Sequence, residues 1–222
     1  HYGLNPTALR RGGTRAAGVQ AATLRLAYRP PLDVPALLAF FARRQFHGVE
    51  WAGDAATPAL RRTVRLQTRG AGGLQDHCGW LNAHFDPDRH QVLVQTSDSL
   101  YPVLPLVMRR VRAMLDLDAD PAAINAVLHA SFPEGDGLRV PGQQITVAAA
   151  RTLGQRLVER FGEPIATPWP ELTRLFPSPA VLAQAPGEAL GQLGIVRQRQ
   201  AAIVALARAV DGGQLQLQGG AE

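Results

Sequence analysis

The side chains with the widest chemical range lie between positions 77 and 90, where His77 and Cys78 are adjacent and His84 and His90 follow. Adjacent ligands do not readily serve one tetrahedral zinc, and the chain has no CxxC or HxxxH pair. His84 alternates with Trp80 along GWLNAHF as part of one strand face, where an ordinary surface or hydrogen-bonded histidine is expected. Cys78 lacks an Asn or His partner at a recognisable nucleophile spacing, and GxSxG does not occur. GAGG at 70–73 is without the Lys-Ser/Thr that completes a phosphate-cradling loop, so it reads as a hairpin or loop turn. Asp116, Asp118 and Asp120 cluster at a helix junction without the Gly and terminal Glu of a calcium loop, and capping is their expected role. These residues predict neither a metal nor a cofactor.

The elements that carry these residues follow from periodicity. LRLAYR (24–29), VEWAG (49–53), RRTVRLQT (61–68), GWLNAHF (79–85) and QVLVQTS (91–97) alternate as strands, with DPDR (86–89) as a hairpin turn. Asp33 and Pro35 open a helix whose apolar face reads as Leu37, Leu38, Phe40 and Phe41, and Arg43 and Arg44 suit its C-terminal end. Beyond Asp98 the pattern turns helical: PVLPLVMRRVRAMLDL, PAAINAVLHA, WPELTRLF, SPAVLAQA, PGEALGQLG and RQRQAAIVALARAV succeed one another. Ile145, Ala149, Leu153, Leu157 and Phe161 recur every four residues and mark a further helix ending near Gly162 and Pro164. The chain is therefore expected to be α+β, with antiparallel strands and helices first and an all-helical part after them.

Composition sets limits on what this assembly does. The chain has 222 residues, 46% hydrophobic and 18% charged, which is the profile of a folded protein. The net charge of +5 favours a polyanionic partner, although all 23 basic residues are Arg, a bias that genome composition alone could also produce. With one cysteine and no apolar run long enough for a bilayer, the expectation is a soluble protein of a reducing cytoplasm.

The order of segments carries more information than any one of them. RPPLDVPALLAFFARRQFHGVE, RRTVRL and GWLNAHFDPDRHQVLVQTSDSL resemble the N-terminal domain of the bacterial 3-methyladenine DNA glycosylase (AlkA-like) family of the helix-hairpin-helix superfamily. LVMRRVRAMLDLDADPAAINAVL, GLRVPG, QQITVAAARTLGQRLVERFGEP and LGIVRQRQAAIVALARAVDGG extend that resemblance over residues 20–213. HYGLNPTALRR is similar to the end of an AraC-type helix-turn-helix, as in fusions of a regulatory region to the glycosylase. The resemblance implies residues 1–19 as that tail plus a linker, 20–118 as an α+β domain with a TATA-binding-protein-like sheet, and 119–222 as a partial helical domain.

It also implies roles. Phe40 corresponds to an aromatic wall of the base pocket, with a core position as the competing reading, and Arg44 either lines the cleft beside it or sits exposed at a helix end. Gln144 corresponds to the residue that wedges into the gap left by a flipped base, unless it is a solvent-facing residue of a first helical turn. Gln143 and Thr146 would flank the same minor-groove surface. The implied partner is double-stranded DNA with alkylated bases, acted on by a monomer without cofactor. The hairpin and catalytic Asp of the family correspond to positions after Glu222, so this chain by itself is expected to be inactive. The alternative is a catalytically inactive DNA-binding fragment or regulator of the alkylation response. A helix that the family places between Pro-Gly and Gln-Gln has no counterpart at Gly142–Gln143, through either omitted residues or a deletion.

Overall fold

Alternation of apolar and polar residues builds a five-stranded antiparallel sheet. A computed structural model describes residues 23–70, 73–131 and 147–215. The strands are β1 (Leu24–Ala27), β2 (Glu50–Ala52), β3 (Ala59–Gly70), β4 (Gly73–Asp86) and β5 (Gln91–Thr96), in the order β1-β5-β4-β3-β2. The register sets Leu26 and Phe85 opposite Val92 on its two neighbours, and Leu60 opposite Ala83. The chain's first 19 residues, the Gly142–Gln143 junction and Gln143, Gln144 and Thr146 all lie outside the described residues.

One sheet face is covered by α1 (Val34–Ala42) and α2 (Leu104–Met114). Asp33 accepts a hydrogen bond from the Ala36 amide at 2.9 Å, and Pro35 sits in the first turn, so α1 starts where its sequence signals place it. Its Val34 and Leu38 join Leu24, Leu26, Leu60, Leu81, Phe85, Val92 and Val94 in a single buried cluster. Val107, Met108 and Val111 of α2 complete it, and the cluster ends at Leu115 and Leu117. Asp120 then caps α3 (Pro121–Ser131) by accepting from the Ala123 amide at 3.1 Å.

A second, smaller cluster forms among α4 (Val147–Phe161), α5 (Pro179–Ala183), α6 (Gly187–Gln192) and α7 (Arg197–Asp211). Leu157, Ala185, Leu190 and Ile195 are its buried members, and Leu153, Phe161 and Ile203 pack against them. The stripe at 145–161 thus faces this cluster from Leu153 onward.

Two elements differ from the sequence expectation. WPELTRLF is not a helix, because its backbone pairs elsewhere. The Thr173 and Arg174 amides both donate to the Gly48 carbonyl at 2.8 Å, and the Leu175 amide donates to Glu163 at 2.8 Å. The segment 162–176 is therefore a strap laid along the sheet. The β3–β4 hairpin is also longer than expected, since GLQDHC lacks apolar alternation but pairs continuously from Gly70↔Gly73 to Ala59↔His84. His77 is buried there, its Nε2 2.9 Å from the Thr68 hydroxyl oxygen.

Gly79 lets the turn at 97–100 close against β4. A Cβ at this position would lie 2.1 Å from the Ser97 Oγ and 2.7 Å from Leu100 Cγ. Gly79→Val is expected to cost about 1–3 kcal/mol through overpacking, measured as a lower urea midpoint with an unchanged m-value.

Candidate functional site

On α1 the residues that bury are Val34 and Leu38, one turn apart, with Leu37 and Phe41 half-covered beside them. Phe40 lies around the helix from Leu38, is 43% exposed and is not a member of the buried cluster. Phe41 meets its ring edge-on, with centroids 5.6 Å apart at 88°. Arg44, one turn on, folds back so that its guanidinium carbon lies 3.7 Å from the Phe40 ring centroid. Its Nη1 donates to the Phe40 carbonyl at 3.2 Å, one of the acceptors that a helix end leaves open. Phe40, exposed, and Arg44, half-buried, therefore form one aromatic–cation pair.

The loop that follows α1 is gripped by α4. Arg151 Nε donates to the Gln45 carbonyl at 3.0 Å, and Arg151 Nη2 lies 3.1 Å from His47 Nε2. The His47 amide donates to Gln155 Oε1 at 2.8 Å. Between these two side chains Gly154 receives the Phe46 ring, where a Cβ would come within 2.4 Å of its edge. Arg151 and Gln155 are four residues apart on one helix face, so a single face of α4 holds the backbone of residues 45–47. The N-terminal end of α4, at Val147, lies three positions after Gln144 in sequence. None of Phe46, Arg151, Gly154 and Gln155 stood out in the sequence, because their partners are more than a hundred positions away.

The strap covers part of the sheet's second face. Arg61 of β3 lies between the rings of Trp51 and Trp169, at 4.3 and 5.0 Å, and pairs with the Glu171 carboxylate. Trp80 packs edge-on to Trp169 with centroids 4.9 Å apart. Arg65 binds Asp76 at 3.0 Å and Glu163 at 2.7 Å. Burial pushes the neighbouring Cys78 thiol above its usual range, with the Arg65 cation opposing that shift. Its thiolate is disfavoured, which suits a structural cysteine. His84 is exposed, and among the described residues no three His, Cys, Asp or Glu side chains group as a metal site. No described helix is long and apolar enough to cross a membrane.

This frame has known counterparts. A profile of the AlkA N-terminal domain family matches residues 23–144, more than half of the chain. The chain belongs to that family. It is 28% identical over 204 residues to DNA-3-methyladenine glycosylase 2 of Escherichia coli (strain K12), covering 86% of this chain and 68% of that protein. It is 29% identical over 242 positions to the probable bifunctional transcriptional activator/DNA repair enzyme AlkA of Mycobacterium tuberculosis (strain ATCC 25618 / H37Rv). That alignment takes in 98% of this chain but spans only about half of the relative, 46% of its length. Since 242 positions exceed the 222 residues here, at least 20 positions of the alignment have no counterpart in this chain. Among solved structures, 3-methyladenine DNA-glycosylase from Archaeoglobus fulgidus superposes with a TM-score of 0.58 at 17% identity, covering 83% of this chain and 66% of that one. The α+β class is thus shared with the AlkA-like fold.

Replacing Gly154 by Val must push the Phe46 ring off α4. The expected result is a loss of about 1–3 kcal/mol in urea denaturation, with residues 45–48 losing amide-exchange protection before the sheet does.

Proposed function

We propose that the chain is the damage-recognising part of a DNA glycosylase that removes alkylated purines such as 3-methyladenine and 7-methylguanine during base-excision repair. The observation that carries the reading is the Phe40–Arg44 pair. An exposed ring that already holds a planar cation at 3.7 Å offers the surface that a planar, positively charged alkylated purine requires. Family membership and the relatives' names support the same reading.

In this mechanism DNA is bent and the damaged nucleotide turned out of the stack. The base replaces the Arg44 guanidinium on Phe40, and Arg44 moves aside to the cleft edge. Gln144, close before α4, enters the gap in the duplex, with Gln143 and Thr146 against the minor groove. Alkylation makes the base a good leaving group, so the C1′–N bond breaks with its electron pair going to the base. Water adds to the resulting oxocarbenium carbon and loses a proton, which requires a carboxylate that we assign to no residue of this chain. The grip of Arg151 and Gln155 on residues 45–47 keeps α1 and α4 in fixed relation while the DNA deforms. The two buried clusters support a division near residue 118 into an α+β and a helical domain. We place the activity in the cytoplasm.

The test is fluorescence anisotropy on duplexes with and without an N-alkylated purine, with released base followed by chromatography in the same samples. Binding is expected to fall steeply with salt, and Phe40→Ala is expected to reduce the preference for damaged DNA by about tenfold. No binding at low salt, or a preference unchanged by Phe40→Ala, would overturn the reading. Damage-selective binding without base release is expected of this chain by itself; the same outcome from a longer polypeptide that contains this chain and supplies the carboxylate would favour the role of a DNA-binding regulator.

A further inference from the structure

The outer face of α4 carries a shallow groove of about 430 Å³, lined by Ala148, Arg151, Thr152, Gln155, Arg156 and Glu159. These positions run i, i+3, i+4, i+7, i+8, i+11, so among the described residues one helix face alone makes the lining. Its two guanidinium groups are held by backbone carbonyls of two different loops. Arg151 Nε donates to Gln45, and Arg156 Nη1 donates to the Leu193 carbonyl at 2.8 Å. A carbonyl holds a cation in place without cancelling its charge. Arg29, Arg61, Arg62, Arg65, Arg89 and Arg112 are instead answered by carboxylates, whereas Arg151 and Arg156 have no ion pair among the described residues. Each keeps N–H groups without a described partner, at Nη1 of Arg151 and Nη2 of Arg156. The face's one carboxylate, Glu159, accepts from Gln155 Nε2 at 3.1 Å and lies at the end away from Val147. No large apolar side chain lines the groove, so an apolar segment of polypeptide gains little there. A polyanion meets two positioned, forked donors.

We propose that Arg151 and Arg156 seat two phosphates of the DNA strand that carries the turned-out nucleotide, so that this strand runs along the outer face of α4. The inference rests on the glycosylase reading, which brings DNA to Phe40 and to the beginning of α4. Gln45, whose carbonyl Arg151 holds, directly follows Arg44. Five residues set the two arginines about 7.5 Å apart along the helix axis, the scale of phosphate spacing in one strand. Phosphate contacts fix where a strand lies without reading its sequence or its damage, a task distinct from that of Phe40.

The whole chain is titrated by fluorescence anisotropy against an undamaged duplex and one with an N-alkylated purine, over a series of salt concentrations. Arg151→Gln and Arg156→Gln are each expected to weaken binding to both duplexes by the same factor. Each should also make the slope of log K against log salt shallower by about 0.9. Arg156→Lys, which keeps the charge, should retain the slope. Arg89→Gln removes an exposed cation that Asp86 answers, and should leave the slope unchanged. Urea midpoints check that each variant remains folded. If Arg151→Gln loosens residues 45–47, Arg156→Gln carries the test, because its carbonyl partner lies at Leu193. An unchanged slope in Arg156→Gln, or weakening confined to the damaged duplex, would overturn the proposal and leave the glycosylase reading in place. Absence of binding by the unaltered chain at low salt would overturn both.

Discussion

A guanidinium group between two indoles ties the two cores of this protein together. A sheet that buries one face against helices leaves the other to be solvated or covered, and here the cover is the strap at 162–176. Arg61 is the point of attachment. Trp51 reaches it from β2, Trp169 and Glu171 reach it from the strap, and its side chain is only 21% exposed. Withdrawing a guanidinium from water is costly, and the carboxylate and two aromatic faces together offset that cost. Thr63 supports the same join by donating its hydroxyl to the Arg174 carbonyl at 2.8 Å, which leaves the strap's backbone satisfied against the strand.

The strap determines where the helices can stand. It leaves α4 at Phe161 and enters α5 at Pro179, so fixing its middle to β3 sets the start of one helix pair and the end of another. The second join, between α4 and residues 45–47, then closes a loop of contacts through α1 back to the sheet. Phe46 against Gly154 resists sliding at that join, and the Phe176 ring lies tilted at 41° to Phe46 with centroids 5.8 Å apart. Phe40 and the beginning of α4 are thus placed by packing between segments far apart in the chain, α4 against residues 45–47.

Period and caps made much of this architecture legible. β1, β5, α1, α2 and α7 lie where alternation, Asp33 and the apolar stripes place them, because each is governed by interactions within a few residues. The strap was misread because Leu172, Leu175 and Phe176 imitate a helical stripe, while the carbonyl of Gly48 decides otherwise. The outer half of the β3–β4 hairpin was hidden because a ribbon that projects past its neighbours has, beyond His77, no buried face to impose alternation. By type Phe40 fits a core position as well as a pocket wall; the rotation between positions 38 and 40, fixed by which side of α1 meets the sheet, sends it outward. The contacts of Arg61, Arg151 and Gln155 are invisible to any local rule, since a polar side chain does not specify a partner a hundred positions away.

The two arginine–aromatic contacts show how one residue type can serve opposite ends. At Arg61 the cation is half-dehydrated and answered by a carboxylate, so any ligand replacing it would strand Glu171. At Arg44 the cation is half-buried and held by one ring face and one backbone carbonyl, with no carboxylate among its described contacts. A contact of that kind on an exposed ring is worth about 0.5–1 kcal/mol, which a larger planar cation with more stacking area can exceed. In a chain whose 23 basic residues are all Arg, guanidinium groups by themselves carry little functional information. The presence or absence of a carboxylate partner is what separates the arginine that fastens the sheet from the one that can give up its aromatic face.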